Sequence, residues 1–475
     1  MSGNGRWKRG SKLVAIWMAC AAAGWLVLAT AMSTAWASDD EDVEDVPPAS
    51  PTQFDDDDTN LEDQEGIPVD VVVGARRILM PLAVPDTIEE GGDTSEAAEK
   101  VESILRRNLK LSGHFDILSE DSFFFDTDEE GMSAAGINFA NWFNVGAHGL
   151  VKSSVREVDG EYALDLRLFH VERARQIDID WSATTVENHD ELRREVNEFI
   201  NAVLEHFTGD RGLFGTRIAY SRRHSNEAKH IYVMEMDGSN RSRISRTDNL
   251  HLVPTFGANG DIYFTNYHDG NPDLFVYRNG QLRQLSNTDG QNTGAAYCDG
   301  KVAVTMSRGT DQTNIYLIDP DTGAVQKQLT NHWAIDVSPT WSPDCSQIAF
   351  VSGRSGGAHI FVMDADGENQ RRLTFQGSYN TTPDWSPKGD RIAFSGRDEF
   401  AKFDLFTVDM DGNIERLTQD QGDNFEPSYS PDGNYIVFTS NREDGKQLWL
   451  MTHDGQVQHR LTTEGRGYEE PSWER

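Results

Sequence analysis

The chain has 475 residues and a formal net charge of −35, from 43 basic and 78 acidic side chains. That length allows two domains with a well-buried core. The charge argues against a nucleic-acid binder, because neutralising phosphates takes a strong basic patch. The sequence has no lysine run, no helix-turn-helix signature and no cysteine–histidine zinc spacing.

Residues 1–37 have the three-part layout of a secretory signal. Arg6, Lys8, Arg9 and Lys12 precede an apolar run from Leu13 to Met32, which ends in Ala35-Trp36-Ala37. Cleavage is expected after Ala37. The rival reading is an uncleaved anchor, since the run is about long enough to span a bilayer; the small-x-small ending and the acidic run behind it favour cleavage, after which no membrane insertion is expected. Residues 38–66 carry thirteen acidic residues and no basic one. Such a stretch buries too little apolar surface to offset its ordering entropy, so it reads as a disordered acidic linker. Its role is either a solubilising spacer or a flexible arm that reaches a partner.

Residues 67–210 read as an α/β domain. RRILMPLAV predicts a strand. DTSEAAEKVESILRRNLKLSG predicts a helix with Ala97, Val101, Ile104, Leu105 and Leu109 on one stripe, a capping box from Asp93 and Glu96, and a stop at Gly113. HFDIL is a strand, INFANWFNVGAHGLVKSSV a short helix leading into a strand, and YALDLRLFHVERARQIDIDWSATTV a hairpin. DELRREVNEFINAVLEHFTG predicts a last helix with Leu192, Val196, Phe199, Ile200, Val203 and Phe207 on one side. No glycine pattern here matches a phosphate-binding fingerprint.

Residues 211–475 are repetitive. Closing strands are marked by Ile244-Ser245, Leu285-Ser286, Leu329-Thr330, Leu373-Thr374, Leu417-Thr418 and Leu461-Thr462, at intervals of 41, 44, 44, 44 and 44 residues. Each unit runs Pro-x-aromatic-Ser-Pro-Asp-Gly, a strand such as RIAFSG, a polar loop, a strand such as HIFVMDADG, then RRLT. Four short strands at a period in the forties, with Asp-Gly hairpin turns, describe a propeller blade. The fold class is therefore an α/β amino-terminal domain followed by an all-β six-bladed propeller. VPTFGANGDIYFT in the second blade keeps the pattern loosely, and GAAYCDGKVAVT in the third has lost its proline and tryptophan. The first blade begins at Thr216 without a Pro-x-Trp strand, and EPSW at 470–473 supplies one, so the C-terminal strand is expected to close the ring and leave no exposed edge.

Within the propeller, Gly353-Arg354-Ser355-Gly356-Gly357 formally fits a nucleophile elbow, but an elbow needs a following helix and HIFVMD is a strand. Asp336, Asn380, Thr382, Glu426 and Glu470, just ahead of the strand-opening prolines, are expected where the blades converge on the central channel, and they are the candidate partner-binding residues. Polar loops at a funnel mouth account for each of them singly. A carboxylate ligand set for a sugar- or lactone-hydrolase funnel is the enzymatic alternative, although no spacing there is diagnostic for zinc. Trp341, Trp385, Tyr429 and Trp473 recur at one blade position and read as packing between blades. Cys298 and Cys345 lie at comparable turns of neighbouring blades. They permit one disulfide, unless those turns stand too far apart to bridge.

FTGDRGLFGTRIAYSRR, at 207–223, resembles the interdomain linker of the TolB family, periplasmic proteins of the Tol–Pal cell-envelope system. Thr208, Gly209, Gly212, Phe214, Arg217, Ile218, Ala219 and Tyr220 match that linker, and Phe207 replaces its leucine. RRNLKLSGHFDIL at 106–118, DLRLFHV and the SPDG blades extend the likeness over residues 67–475. The resemblance implies a non-enzymatic adaptor in the periplasm of a Gram-negative bacterium, with no catalytic residue, cofactor or metal. It further implies that the propeller binds the peptidoglycan-associated lipoprotein Pal on the face where the channel opens. An N-terminal arm would engage the inner-membrane-linked protein TolA, in a system serving outer-membrane integrity and constriction at division. A generic secreted scaffold is the remaining alternative. Three departures stand out: the acidic linker precedes the folded part, a histidine expected in the last helix of the first domain is absent, with Val196-Asn197 in that region, and the third blade is weakened.

Overall fold

The computed structural model describes residues 77–127, 130–268, 270–443 and 445–475. The expected signal, its cleavage site and the acidic linker lie outside them. Among the described residues no helix is long and apolar enough to cross a membrane.

The first unit is a sheet with helices packed on it. Strands β1 (Met80–Ala83), β3 (Phe115–Ile117) and β4 (Gly149–Val158) are mutually parallel around β1, and a short β2 (Ile88–Glu89) pairs with β4. β4 and β5 (Glu161–His170) form a long antiparallel hairpin, and β6 (Arg175–Ile177) and β7 (Thr184–Val186) both pair with β5. Helix α1 (Ser95–Leu111) buries Ala97, Val101, Leu105 and Leu109, as its stripe requires, and Gly113 at φ +70° follows its end. Its start differs from expectation. Thr94 is the N-cap residue and makes no capping bond; its hydroxyl donates to Glu89 of β2, while the Asp93 amide donates to Glu157 of β4. The sheet thus takes up the groups a local capping box would have used. A short α2 (Phe139–Asn144) buries Trp142, whose Nε1 donates to Glu130 at 2.8 Å. Helix α3 (His189–Thr208) is capped by Asn188, which accepts from the Asp190 and Glu191 amides, and stops at Gly209 with φ +85°. Leu192, Val196, Phe199, Ile200 and Val203 are buried, but Phe207, whose ring meets Phe115 of β3 edge-on, is 38% exposed.

The propeller has six four-stranded antiparallel sheets. Blade 1 takes its inner strand, Tyr468–Trp473, from the C-terminal end of the chain and its other three, Arg217–Arg223, Lys229–Glu235 and Ser242–Arg243, from the start of the repeat region. Tyr468 pairs with Arg222 and Trp473 with Ile218. Blades 2 to 6 begin with inner strands His251–Phe256, Asn292–Cys298, Asp336–Trp341, Asn380–Trp385 and Asn424–Tyr429. Trp341, Trp385, Tyr429 and Trp473 are all under 5% exposed. They tie blades together: Trp341 Nε1 donates to the Ala296 carbonyl of blade 3, and the Trp473 amide donates to Ser428 of blade 6. The Asp-Gly turns serve the same end. A Cβ on Gly455 would stand 2.5 Å from the Leu417 carbonyl of the preceding blade, and one on Gly238 would stand 2.7 Å from that of Leu461, across the ring's closure. Only glycine fits there, and its positive φ suits the turn.

Alternation of antiparallel strands puts all connections from one blade to the next, and all those between second and third strands, at one end of the disc. The amino-terminal domain sits at the other end, against blades 1 and 6. Arg193 Nη2 of α3 meets Asp237 and Glu235 of blade 1, each at 2.7 Å. Asn108 Nδ2 donates to Asp237 and to Asn197, and Arg107 donates to the Asp237 carbonyl. Asn197 is therefore part of this clamp. On blade 6, the Tyr435 hydroxyl donates to the Ser112 carbonyl at 3.0 Å. One hydrophobic cluster runs from Leu105, Leu109 and Val203 through Phe214 to Tyr435 and Val437.

Candidate functional site at the channel mouth

Five of the six inner strands have a residue ahead of a proline, and the third has Gly294 ahead of Ala295. At this place every inner strand has a β-bulge. The bulge residues are Val253, Gly294, Ser338, Thr382, Glu426 and Glu470, all with φ between 48° and 62°. A following proline already disfavours the right-handed helical region, and the bulge takes the residue into the left-handed one. Each non-glycine residue there costs about 1–2 kcal/mol. These six positions ring a cavity of about 780 Å³ along the propeller axis.

Side chains from neighbouring blades capture the amides that the bulges leave out of the ladders. Glu426 Oε2 accepts from the Glu470 amide at 2.8 Å and from the Thr439 hydroxyl at 2.7 Å. Glu470 Oε2 accepts from the Val253 amide at 2.8 Å and from Ser221 at 2.6 Å. Ser395 Oγ receives the Glu426 amide and bonds Thr382 Oγ1 at 2.8 Å, and Thr305 receives the Ser338 amide. Charge-assisted bonds of this kind are among the stronger ones. One oxygen of each carboxylate is thus spent on holding the ring.

Thr382, Glu426 and Glu470 line the cavity, as their positions ahead of proline suggest. Asp336 and Asn380 do not; each is two residues earlier, at 0% exposure. Asp336 meets Arg354 Nη2 at 2.8 Å, and Asn380 donates to the Gln376 carbonyl. The pleat explains the difference, since the bulge resets which face of the strand each position occupies. These two side chains instead hold the connections at the start of their inner strands.

Sequence reasoning missed the charge cluster behind the mouth. Glu469 occupies a slot filled in the other blades by Leu252, Thr293, Val337, Thr381 and Phe425. Its Oε2 meets Lys229 Nζ at 2.8 Å and Lys446 Nζ at 3.2 Å, and Lys229 is fully buried. Burial pushes the Glu469 carboxyl up, but Lys229, Lys446 and Arg223 outweigh it and hold it below the usual carboxylate range. Burial raises Glu426 above that range; Lys446 opposes the rise, and Glu470 and Glu469 add to it. A carboxylate in a slot otherwise uncharged was the available signal.

Two buried histidines share this end. Burial, then Arg243, pushes His230 down to about 4, and burial, then Arg372, pushes His359 down to about 4. The native state therefore binds fewer protons than the unfolded chain between pH 6.5 and pH 4. The stability these groups give is complete above pH 6.5 and is lost as pH falls through that window. Replacing both by Gln is expected to flatten the melting-temperature profile there, recovering about 1–2 kcal/mol at pH 4.5 relative to pH 7. Parallel wild-type and variant profiles would show that these imidazoles are not the source.

A rigid six-bladed disc, with an α/β domain clamped on one end and an axial cavity ringed by the six bulges, defines the class of two-domain propeller proteins. Residues 69–177 match the family model described as the TolB amino-terminal domain, and residues 204–475 match the TolB beta propeller domain. The chain belongs to the TolB family. It is 38% identical over 266 residues to the Tol-Pal system protein TolB of Anaeromyxobacter dehalogenans, a match covering 55% of this chain and 59% of that protein. It is 33% identical over 294 residues to the protein TolB homolog of Chlorobium luteolum, covering 61% and 65%. These matches span less than two thirds of the relatives' own length. The crystal structure of TolB from Acinetobacter baumannii has the same fold, with a TM-score of 0.71 at 21% identity over 84% of this chain and 98% of that one.

Proposed function

We propose that the protein is a non-enzymatic periplasmic adaptor of the Tol–Pal system. In this reading the propeller's open mouth binds the peptidoglycan-associated lipoprotein Pal, and the segment before the α/β domain links to a TolA-like inner-membrane protein. The pair of contacts serves outer-membrane integrity and constriction at division. The observation that carries the reading is the axial cavity of about 780 Å³, ringed by the six bulges and lined by Thr382, Glu426 and Glu470 but by no residue of the amino-terminal domain, which sits against blades 1 and 6. Binding there needs no reactive residue. Family membership supports the cellular setting.

The test is calorimetry with the soluble domain of the lipoprotein. Thr382→Ala combined with Glu426→Gln and Glu470→Gln removes charge and a hydroxyl from the mouth and keeps acceptors for the captured amides. Affinity is expected to fall by about tenfold or more. Unchanged affinity would remove this face from the contact.

A further inference from the structure

Four blades carry an arginine at one register of the outer strand, directly ahead of the closing Ile or Leu: Arg243, Arg372, Arg416 and Arg460. In all four, Nε donates to the carbonyl two residues on, which fixes the guanidinium at the end of the disc away from the amino-terminal domain. Three have carboxylate partners. Arg416 meets Asp398 at 2.8 Å and Asp404 at 2.5 Å, Arg460 meets Glu443 at 3.0 Å, and Arg243 meets Asp248 at 3.8 Å. Arg372 has no carboxylate within ion-pair distance among the described residues. Its Nη2 meets the His359 ring at 3.0 Å, and that ring is neutral near pH 7 because burial and Arg372 itself push it down to about 4. In a chain of charge −35, an unneutralised guanidinium facing this end is out of keeping with its surroundings.

The Arg372 guanidinium lies 5.1 Å over the Phe375 ring, which is 69% exposed. Trp333, on the connection into blade 4, and Phe400, on the connection between second and third strands of blade 5, are each 70% exposed. All three rings belong to connections at the open end of adjoining blades. Aromatic residues and arginine are the types that carry most interface energy, and a guanidinium on an aromatic face is preset for bidentate contact with a carboxylate.

We propose that Arg372 and Phe375 form the anchor of the partner contact, and that they take an acidic protein segment. A partner carboxylate pairs with Arg372, and an apolar neighbour in that segment packs on the Phe375 ring. The inference deepens the proposed function and rests on it for the identity of the partner. Gln328 shows that glutamine is tolerated at this register, since its Nε2 makes the same bond to the Thr330 carbonyl at 2.9 Å.

Calorimetry on the full chain tests the inference with two probes. One is the soluble lipoprotein domain; the other is a synthetic dodecapeptide alternating Asp and Glu with Phe and Leu, set beside its Asn/Gln counterpart. The wild type is expected to bind the acidic peptide and not the amide form. Arg372→Gln and Phe375→Ala are each expected to weaken both probes about tenfold or more, while Arg460→Gln, which removes an already paired cation, changes them less than about twofold. Failure of the acidic peptide to bind the wild type overturns the inference. So does equal binding of the lipoprotein domain by wild type and Arg372→Gln, and in that case the proposed function stands. Arg372-dependent binding of the peptide without any binding of the lipoprotein domain supports the inference and sinks the proposed function.

Discussion

Deletion of residues 468–475 is expected to lower the melting temperature by roughly 15 °C or more, far beyond what the loss of eight terminal residues ordinarily does. The deleted strand contains Tyr468 at 0% and Trp473 at 2% exposure, and truncating one large buried aromatic costs about 3–5 kcal/mol. It also removes Glu469 from the buried Lys229, and Glu470 from the Val253 amide it captures in blade 2. The Arg217–Arg223 strand would become an open edge, a template for aggregation. If the shortened chain does not fold, Trp473→Ala gives the same information, with an expected loss of about 3–5 kcal/mol in denaturant unfolding. A truncated chain that melts with the full one would contradict closure by this strand.

Serine at both 298 and 345 is expected to destabilise the protein by about 4 kcal/mol, through the freedom restored to an unfolded loop of 47 residues. The two cysteines form a disulfide with a Cα–Cα distance of 5.8 Å, although they lie in different blades. Register explains the reach. Cys298 stands where blades 4 to 6 have Ser342, Ser386 and Ser430. Cys345, at φ 57°, stands where blades 5 and 6 have Gly389 and Gly433. A Cβ at Gly389 would point at Pro343 of the preceding blade, 3.5 Å from its Cγ. Blade 3 has Asp299 in place of that proline, so the bond replaces an apolar contact in the blade whose repeat has eroded most. Reduction of the wild type is expected to reproduce the melting temperature of the double variant, about 10 °C below the oxidised protein. Equal melting of oxidised and reduced protein would show that the bridge constrains nothing.

The propeller was readable because a 44-residue period repeats one hydrophobic alternation and one turn chemistry, and both are local. The closing strand was readable for the same reason, since EPSW repeats a motif whose place in the blade is known from its sisters. The site was only half readable. Sequence placed Thr382, Glu426 and Glu470 at the channel because they precede prolines, but gave no sign that the backbone there is left-handed. It also did not separate them from Asp336 and Asn380, each two residues ahead of its own blade's bulge and fully buried. The pairing of Asp336 with Arg354, or of Glu469 with a lysine 240 residues earlier in the chain, depends on contacts that only the closed ring creates. The helix start failed for a related reason: Thr94 and Asp93 find partners on the sheet instead of within the first turn.

The clamp between the domains falls on the joint where the two ends of the ring meet. Arg193 grips blade 1, the Ser112 carbonyl receives the Tyr435 hydroxyl of blade 6, and Arg77, where the described chain begins, pairs with Asp454 of blade 6 at 3.3 Å. In mechanical terms the amino-terminal domain is a splice plate across a butt joint. A tension applied through the chain ahead of Arg77 is delivered first to blade 6 and then to the seam inside blade 1, where Tyr468–Trp473 pairs with Arg217–Arg223. The intact circumference of blades 2 to 5 stays out of the load path. The covalent bridge between blades 3 and 4 stiffens the far side of the hoop, so strain from such a pull concentrates at the splice, where only noncovalent contacts resist it.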